Sequence, residues 1–259
     1  MNNVSSKKNT KYFCEEEIDK VLKLVINPFL ETHVEKGFIE GENKQSIYYE
    51  SYKVENPKAN IVLCHGLTES IEKYKELIYY FLKDGFSVYA IEHRGHGKSG
   101  CLANLSIVDE TQVNVEKFDY YVNDLKSFID NIVMLSKGNK KLFLFAHSMS
   151  GARYMNYYNF LLENREYQKG GVSYNWLNTS FKAIKEIIDN AHKVKIPVML
   201  CQAGKDTYVK PNGHNKFAQK VNNCELKIYK DSKHEIYWEK DYIMHPYLDD
   251  VFSFYNKNI

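Results

Sequence analysis

The sequence predicts an α/β domain in which a mostly parallel sheet is covered by helices on both faces. Short apolar runs alternate with longer helical patterns, and helical crossovers are the usual connections between parallel strands. The runs are continuously apolar rather than alternating, which is typical of strands buried on both faces. The 259 residues are 44% hydrophobic and 26% charged. This composition is globular and excludes a disordered or collagen-like chain.

The first segment with a helical pattern is amphipathic and covers residues 18–26, with Pro28 expected to end it. It fits either a helix packed on the core or a membrane anchor, and we favour the first. Residues 1–10 lack the apolar run of a signal peptide, and no stretch approaches the about 18 apolar residues of a membrane span. The five cysteines include no CxxC pair. We therefore expect a reduced, cytoplasmic protein without a disulfide framework or a zinc site.

The remaining elements follow from hydrophobic periodicity and turn residues. Polar residues with two glycines predict a hairpin over 37–52. The predicted strands cover 60–64, 86–91, 142–145, 198–201 and 226–229. The predicted helices cover 69–83, 112–134, 150–163, 178–192, 212–221 and 243–257. Because these elements leave no room for a second core, we expect a single domain over residues 1–259.

The sharpest candidate for chemistry is Ser148, where the strand ending at Phe145 turns into a helix. A serine between small residues at this point is the pattern of a nucleophile elbow, because larger neighbours would collide as strand and helix pass. The usual pattern is Gly-x-Ser-x-Gly, and Ala146 and Ser150 replace the two glycines here. The alternative is that Ser148 is only the N-cap of the helix.

A nucleophilic serine needs a base and an orienting carboxylate. In hydrolases whose serine lies on a strand–turn–helix elbow, the three residues follow along the chain in the order serine, acid, histidine. Asp206 follows the strand at 198–201, and His234 follows the strand at 226–229. They therefore occupy the positions of the acid and the base. Other candidates fit less well: we interpret His214 and His245 as surface residues, and we expect Asp231 and Glu235 not to contact His234.

The oxyanion of an acyl-transfer intermediate needs two backbone N–H donors. One candidate is Met149, the residue after the nucleophile. The other is Leu67, in the loop that follows the strand at 60–64. A backbone donor cannot be deleted by changing its own side chain, so these two assignments rest on position in the chain.

The segment from Glu92 to Ser99 allows two other interpretations. Its ending Gly97-Lys98-Ser99 resembles a phosphate-binding loop, but that motif requires a glycine where Glu92 stands. His93 and His96 could be metal ligands, but no third ligand lies nearby in the sequence. We therefore interpret the segment as a structural turn in which Arg94 bonds neighbouring carbonyls or carboxylates.

Five motifs in this order resemble the monoglyceride lipase and bacterial lysophospholipase branch of the α/β-hydrolases: His65-Gly66, the run from His93 to Ser99, the Ser148 elbow, Asp206, and His234-Glu235. The resemblance extends from about residue 35 to the end of the sequence. It implies an α/β-hydrolase fold and a serine hydrolase that cleaves fatty-acyl esters of glycerol or glycerophosphate without a cofactor. In that family's pattern, Ser148 is the nucleophile, Asp206 the acid and His234 the base, and Leu67 and Met149 form the oxyanion hole.

The sequence departs from this family at two places. Glu92 stands where the family commonly has aspartate. Residues 163–177 are the only link between two predicted helices, where the family usually has another core strand and a helical cap. We therefore expect a cap that is absent or minimal, an open acyl site, and direct pairing of the strand at 198–201 with that at 142–145. This pairing would shift Asp206 sideways by about one strand spacing, roughly 4.8 Å.

The sequence favours an esterase with a small-molecule acyl ester as substrate and transient contact with a membrane surface. The alternative is a hydrolase-fold protein that has lost its activity and acts through binding. The formal net charge of only +2 does not indicate the strongly basic surface that nucleic-acid binding requires. We therefore do not expect nucleic acid as a partner.

Overall fold

The computed structural model describes residues 11–100, 112–147, 164, 167–168 and 170–259. The elements in that part of the chain are α1 (Ile18–Val21, continued by a π turn over Leu22–Ile26 and by Asn27–Glu31), β1 (Val34–Glu40), β2 (Ser46–Tyr52), β3 (Ala59–Cys64), α2 (Lys75–Lys83), β4 (Phe86–Ile91), β5 (Gln112–Val113), α3 (Asp119–Phe128, continued by a π turn over Ile129–Val133 and by Met134–Ser136), β6 (Leu142–Ala146), β7 (Gly171–Val172), α4 (Tyr174–Asn190), β8 (Val198–Ala203), α5 (Pro211–Lys220), β9 (Cys224–Tyr229) and α6 (Asp241–Lys257).

The central sheet has five strands in the order β1-β2-β4-β3-β6. Strands β3, β4 and β6 run parallel, and the hairpin of β1 and β2 adds an antiparallel edge to β4. Helices α2 and α6 pack on one face, where Phe81 contacts both Phe86 and Phe252. Helix α3 covers the other face, with Phe128 in contact with the buried side of the sheet. The predicted mostly parallel sheet with helices on both faces is therefore confirmed.

Strands β8 and β9 form a separate parallel pair. Within the described residues β8 pairs with β9 and not with β6, so the expected direct pairing of β8 with β6 is wrong. Helix α6 gives the physical reason, because it spans both pieces of sheet. Its Tyr255 ring lies 4.8 Å from that of Phe143 on β6, and its Asp250 accepts a 2.8 Å hydrogen bond from Tyr229 on β9. These contacts fix each piece of sheet separately against the same helix.

Helix α1 packs on the core, as the favoured interpretation of its apolar stripe requires: Ile18, Ile26 and Leu30 are buried. Its predicted end at Pro28 is wrong, because the helix continues to Glu31. Proline removes one helical N–H, and the wider π turn immediately before it accommodates that loss. In the described ranges, no helix is both long enough and apolar enough to cross a membrane.

Two predicted boundaries differ around residues 112–119 and 170–178. The helix predicted from residue 112 begins at Asp119. Residues 112 and 113 instead form β5, which pairs with β7, and β7 lies inside the short interval 163–177. Helix α4 begins at Tyr174, four residues earlier than predicted, because Ser173 accepts a hydrogen bond from the N–H of Trp176 and caps its first turn. The helix predicted over 150–163 lies outside the described residues.

A buried ion pair fastens the loop after β4 to helix α3. Arg94 Nε and Nη2 donate to the two carboxylate oxygens of Asp124 at 2.6 and 2.7 Å, and Nη2 also donates to the carbonyl of Glu42 at 3.0 Å. Both side chains are nearly inaccessible to solvent. The predicted role of Arg94, bonding neighbouring carboxylates and carbonyls, is confirmed.

Asp124→Ala should lower the free energy of unfolding by about 3–5 kcal/mol, because it leaves the Arg94 guanidinium buried without its counter-charge. The matched control is Asp130→Ala, which removes an exposed partner of Lys126 one turn further along and should change stability by less than about 1 kcal/mol. Urea unfolding of the two variants tests this comparison. Equal losses of stability would contradict it.

Candidate active site

Asp206 and His234 lie on two loops that interlock at the ends of β8 and β9. The N–H of Gly204 donates to the carbonyl of Tyr229 at 2.8 Å, and the N–H of Lys205 donates to the carbonyl of Ser232 at 2.8 Å. A Cβ atom at residue 204 would lie 2.3 Å from the backbone oxygen of Lys230. Glycine is therefore required there, because the two loops approach more closely than any side chain would permit.

The structure brings the predicted acid and base together. His234 Nδ1 lies 2.6 Å from Asp206 Oδ2, and both side chains are at most 7% exposed. The other carboxylate oxygen, Oδ1, accepts hydrogen bonds from the N–H groups of Tyr208 and Val209 at 2.8 and 2.9 Å. Burial opposes the charge, but the hydrogen bonds from His234 and these two N–H groups lower the pKa of Asp206 overall.

This contact fixes which nitrogen of His234 carries the proton. An ionised carboxylate only accepts hydrogen bonds, so Nδ1 must be the donor. In neutral imidazole the other nitrogen, Nε2, then holds a lone pair. That atom is buried and has no hydrogen-bond partner within the part of the chain that the structure describes. Nε2 is therefore the atom of the His234 ring that can accept a proton.

The end of β6 lies beside this histidine. The N–H of His147 donates to the carbonyl of Cys64 at the end of β3, at 3.2 Å. The His147 ring centroid lies 5.3 Å from that of His234. Ser148 follows His147 directly in the sequence, but Ser148 and Met149 themselves lie outside the described residues. The structure therefore positions the chain up to the residue before the predicted nucleophile.

Leu67, the other predicted oxyanion donor, is buried in the loop after β3. The preceding N–H of Gly66 donates to Glu69 Oε2 at 2.7 Å, which fixes the loop. The next residue, Thr68, has a φ of 57°. This left-handed conformation costs a side chain with a branched β-carbon about 1–2 kcal/mol, so the contacts of the loop must hold it in place.

A buried network that no sequence motif indicates joins the loop of Leu67 to the loop of His234. Lys73 Nζ lies 2.6 Å from Glu69 Oε1 and 2.5 Å from Glu235 Oε1, and all three side chains are at most 4% exposed. Glu69 Oε2 also lies 3.5 Å from His147 Nδ1. The Glu69 and Lys73 spacing of four residues resembles an ordinary exposed helical pair. Only the fold shows that it is buried and that Glu235 completes it.

The pKa values of the two carboxyl groups of this network, Glu69 and Glu235, are shifted in opposite directions. Burial opposes ionisation of Glu69, yet its hydrogen bond with His147 and the nearby Lys73 hold the pKa of Glu69 well below its usual range. Burial raises the pKa of Glu235 to about 8, against the attraction of Lys73. Burial thus favours the protonated form of Glu235, whereas the groups around Glu69 favour its ionised form. This balance avoids an uncompensated buried negative charge.

The other candidate groups differ in their distance from the pair of Asp206 and His234, and His214 lines the same cavity as that pair. Asp231 pairs with Lys205 at 2.7 Å, and Glu235 faces Lys73, as the expectation that neither contacts His234 requires. The interpretation of His214 and His245 as surface residues is wrong, because both are partly buried. His214 lies in α5, and His245 Nε2 is 3.3 Å from the carbonyl of Phe13.

The segment from Glu92 to Ser99 is a turn held by its own side chains. Glu92 accepts a hydrogen bond from the N–H of Lys98 at 2.6 Å, and Ser99 Oγ donates to the carbonyl of Glu92 at 2.7 Å. Burial lowers the pKa of His93 to about 3, and its Nε2 bonds the carbonyl of His65 at 3.1 Å. Among the described residues, no three metal-binding side chains are grouped. The interpretation of the segment as a structural turn is confirmed.

Comparison with known proteins places this geometry in a family. The sequence profile of the hydrolase family described as "Serine aminopeptidase, S33" matches residues 55–168 and 159–241. The chain belongs to this family. The two matched segments overlap at residues 159–168, next to the start of the interval 163–177.

Individual relatives and solved structures agree with this assignment. Lysophospholipase L2 of Escherichia coli (strain K12) is 24% identical over 284 aligned residues, covering 76% of this chain and 80% of that protein. A thermostable carboxyl esterase from Bacillus coagulans has a TM-score of 0.66 at 17% identity, over 87% of this chain and 98% of that one. A soluble variant of monoglyceride lipase from Saccharomyces cerevisiae has a TM-score of 0.61 at 16% identity, over 87% and 96%.

These comparisons confirm the α/β-hydrolase fold, and with it the resemblance drawn from the motifs. At the level of the enzyme class, the prediction of a carboxylic ester hydrolase is confirmed as well. The alignment with the Escherichia coli protein spans 284 positions, more than the 259 residues of this chain. That relative therefore contains segments that this chain lacks.

The protonated carboxyl of Glu235 predicts a pH-dependent stability. In the unfolded chain this group ionises above its ordinary pKa of 4.5, whereas the folded protein keeps the proton up to about pH 8. The folded state therefore binds more protons in this window, and the free energy of unfolding should fall as pH rises through it. Glu235→Gln, which resembles the neutral carboxyl, should flatten this part of the profile.

Urea unfolding at pH 5, 6.5 and 8 measures the effect. The control is Glu55→Gln at an exposed carboxylate, which should keep the pH profile of the unsubstituted protein. An identical pH profile for all three proteins would show that Glu235 does not carry the proton.

Proposed function

We propose that this protein hydrolyses carboxylic esters through an acyl-enzyme intermediate, with Ser148 as nucleophile, His234 as base and Asp206 as the orienting acid. The observation that carries the proposal is the 2.6 Å contact between Asp206 and His234 Nδ1, which leaves His234 Nε2 available. The position of Ser148 directly after His147, whose ring lies beside His234, supports it further.

The arrangement supplies each step of ester hydrolysis. His234 Nε2 takes the proton of the Ser148 hydroxyl while its oxygen attacks the ester carbonyl, and Asp206 stabilises the imidazolium that forms. The N–H groups of Leu67 and Met149 would receive the oxyanion of the tetrahedral intermediate. His234 then returns the proton to the leaving alcohol. Water, activated by the same histidine, attacks the acyl-enzyme and releases the acid.

We propose an acylglycerol or a lysophospholipid as the class of substrate. The names of the relatives support it, since a lysophospholipase and a monoglyceride lipase are among them. The reaction needs no cofactor, because all the proton transfers fall to side chains of the chain. We further propose a single domain that acts in the cytoplasm and meets a membrane surface only transiently, where such substrates lie.

Ser148→Ala should lower the hydrolysis of p-nitrophenyl esters by about 10⁴-fold or more, because the covalent route is lost. The matched control is Ser150→Ala, two residues further along the same segment, which should retain most of the activity. Circular dichroism of both variants checks that they remain folded. Unchanged turnover by Ser148→Ala would contradict the mechanism.

Asp206→Asn should lower kcat by about 10³–10⁴-fold, since an amide no longer imposes the required tautomer on His234. Asp231→Asn is the matched control, because Asp231 lies on the histidine loop but pairs with Lys205 at the surface. Steady-state kinetics with p-nitrophenyl butanoate compares them. A larger loss in Asp231→Asn would transfer the role of the acid to that residue.

A further inference from the structure

An apolar cleft of about 670 Å³ lies between β6 and β8, two strands that do not pair with each other among the described residues. Its walls are residues of both strands, and residues of α6 also line it. The lining is mostly aliphatic and aromatic and includes Leu142, Leu144, Val198, Leu200, Val251 and Phe254. A cleft of this size and character is typical of a binding site for a small molecule, which usually has about 300–1,000 Å³.

The cleft begins at the candidate active site. Asp206, His234 and His147 line one end, and Lys141 and Asn258 line the other. Lys141 Nζ donates to the carbonyl of Asn258 at 2.9 Å, so this far end is bridged by a polar contact. The cleft is therefore an apolar channel with the proposed reacting groups at its mouth.

The length of the cleft suits a long acyl chain. From His147 to Lys141 the strand covers about 20 Å at roughly 3.3 Å per residue. An extended alkyl chain advances by about 1.25 Å per carbon, given single bonds of about 1.5 Å at tetrahedral angles. A chain of about 16 carbons therefore reaches from one end to the other.

One contact favours an alkyl chain over an added strand as the occupant. Tyr255 of α6 donates its hydroxyl hydrogen to the carbonyl of Leu144 on β6, at 3.3 Å. The Tyr255 side chain also lines the cleft. A peptide strand pairing with β6 would compete with this hydroxyl for the carbonyl, whereas an alkyl chain needs no hydrogen bond and leaves the contact in place.

We propose that the cleft between β6 and β8 binds the acyl chain of the substrate, with the ester carbonyl at the mouth beside His234. This inference rests on the proposed function and names its substrate class as esters of a single long acyl chain. It replaces the expectation of an open acyl site. The gap left by the unpaired strands would enclose the chain within the sheet layer.

Leu144→Trp tests the proposal by filling the cleft. The Leu144 side chain is 55% exposed, so a larger residue should be accommodated without unfolding. The ratio of kcat/KM for p-nitrophenyl hexadecanoate to that for the butanoate should fall by about tenfold or more, because the wall blocks long chains first. Leu135→Trp, at a leucine 81% exposed on α3, is the matched control and should keep the ratio of the unsubstituted protein.

Val198→Trp, at the deep end of the opposite wall, provides a second test and should lower the same ratio. The proposal is overturned if the ratio is unchanged in both cleft variants. It is also overturned if light scattering shows that a dimer of the unsubstituted protein dissociates in Leu144→Trp, because a second copy would then occupy the cleft.

Binding measured without turnover separates this proposal from the proposed function. Titration calorimetry of Ser148→Ala with hexadecanoate should show saturable binding to one site, at least about tenfold weaker when Leu144→Trp is added. Saturable binding without any ester hydrolysis by the unsubstituted protein would keep the cleft and overturn the proposed function. Hydrolysis of the butanoate without hexadecanoate binding would overturn the proposal for the cleft and keep the proposed function.

Discussion

Helix α6 contacts both pieces of sheet on which the candidate site depends. Its Tyr255 packs on Phe143 and bonds the carbonyl of Leu144 on β6, and its Asp250 accepts hydrogen bonds from Tyr229 and Lys227 on β9. The helix thus holds the loop that carries His234 at a fixed distance from the end of β6. Within the described residues β6 and β8 do not pair with each other, and residues of α6 line the apolar cleft between them.

Two further constraints shape the candidate site. The close approach of the loops at Gly204 places Asp206 against His234, and the carboxylate then fixes the tautomer of the imidazole. On the opposite side, the buried Lys73 holds Glu69 and Glu235 together. This contact joins the loop that carries Leu67 to the residue beside His234. A change in either constraint would move two functional loops at once.

Local patterns predicted the parts of the site that follow the ends of strands. Asp206 and His234 each follow a short apolar run, and a parallel sheet brings such ends to one edge. Lys73 and Glu235 are 162 residues apart in the sequence. No local sequence pattern indicates a contact between residues so far apart. The expected pairing of β8 with β6 was wrong as well. It assumed that β8 moves into the place of a missing strand, whereas in the described residues β8 pairs with β9 alone and packs with it against α6.

The most direct test of the central claim is labelling with a fluorophosphonate, which reacts covalently with an activated serine nucleophile. Intact-protein mass spectrometry should show one label per chain, and peptide mapping should place it on Ser148. The label should be strongly reduced in Asp206→Asn. Absence of labelling on protein that is folded by circular dichroism would contradict the account and favour a hydrolase-fold protein that acts through binding.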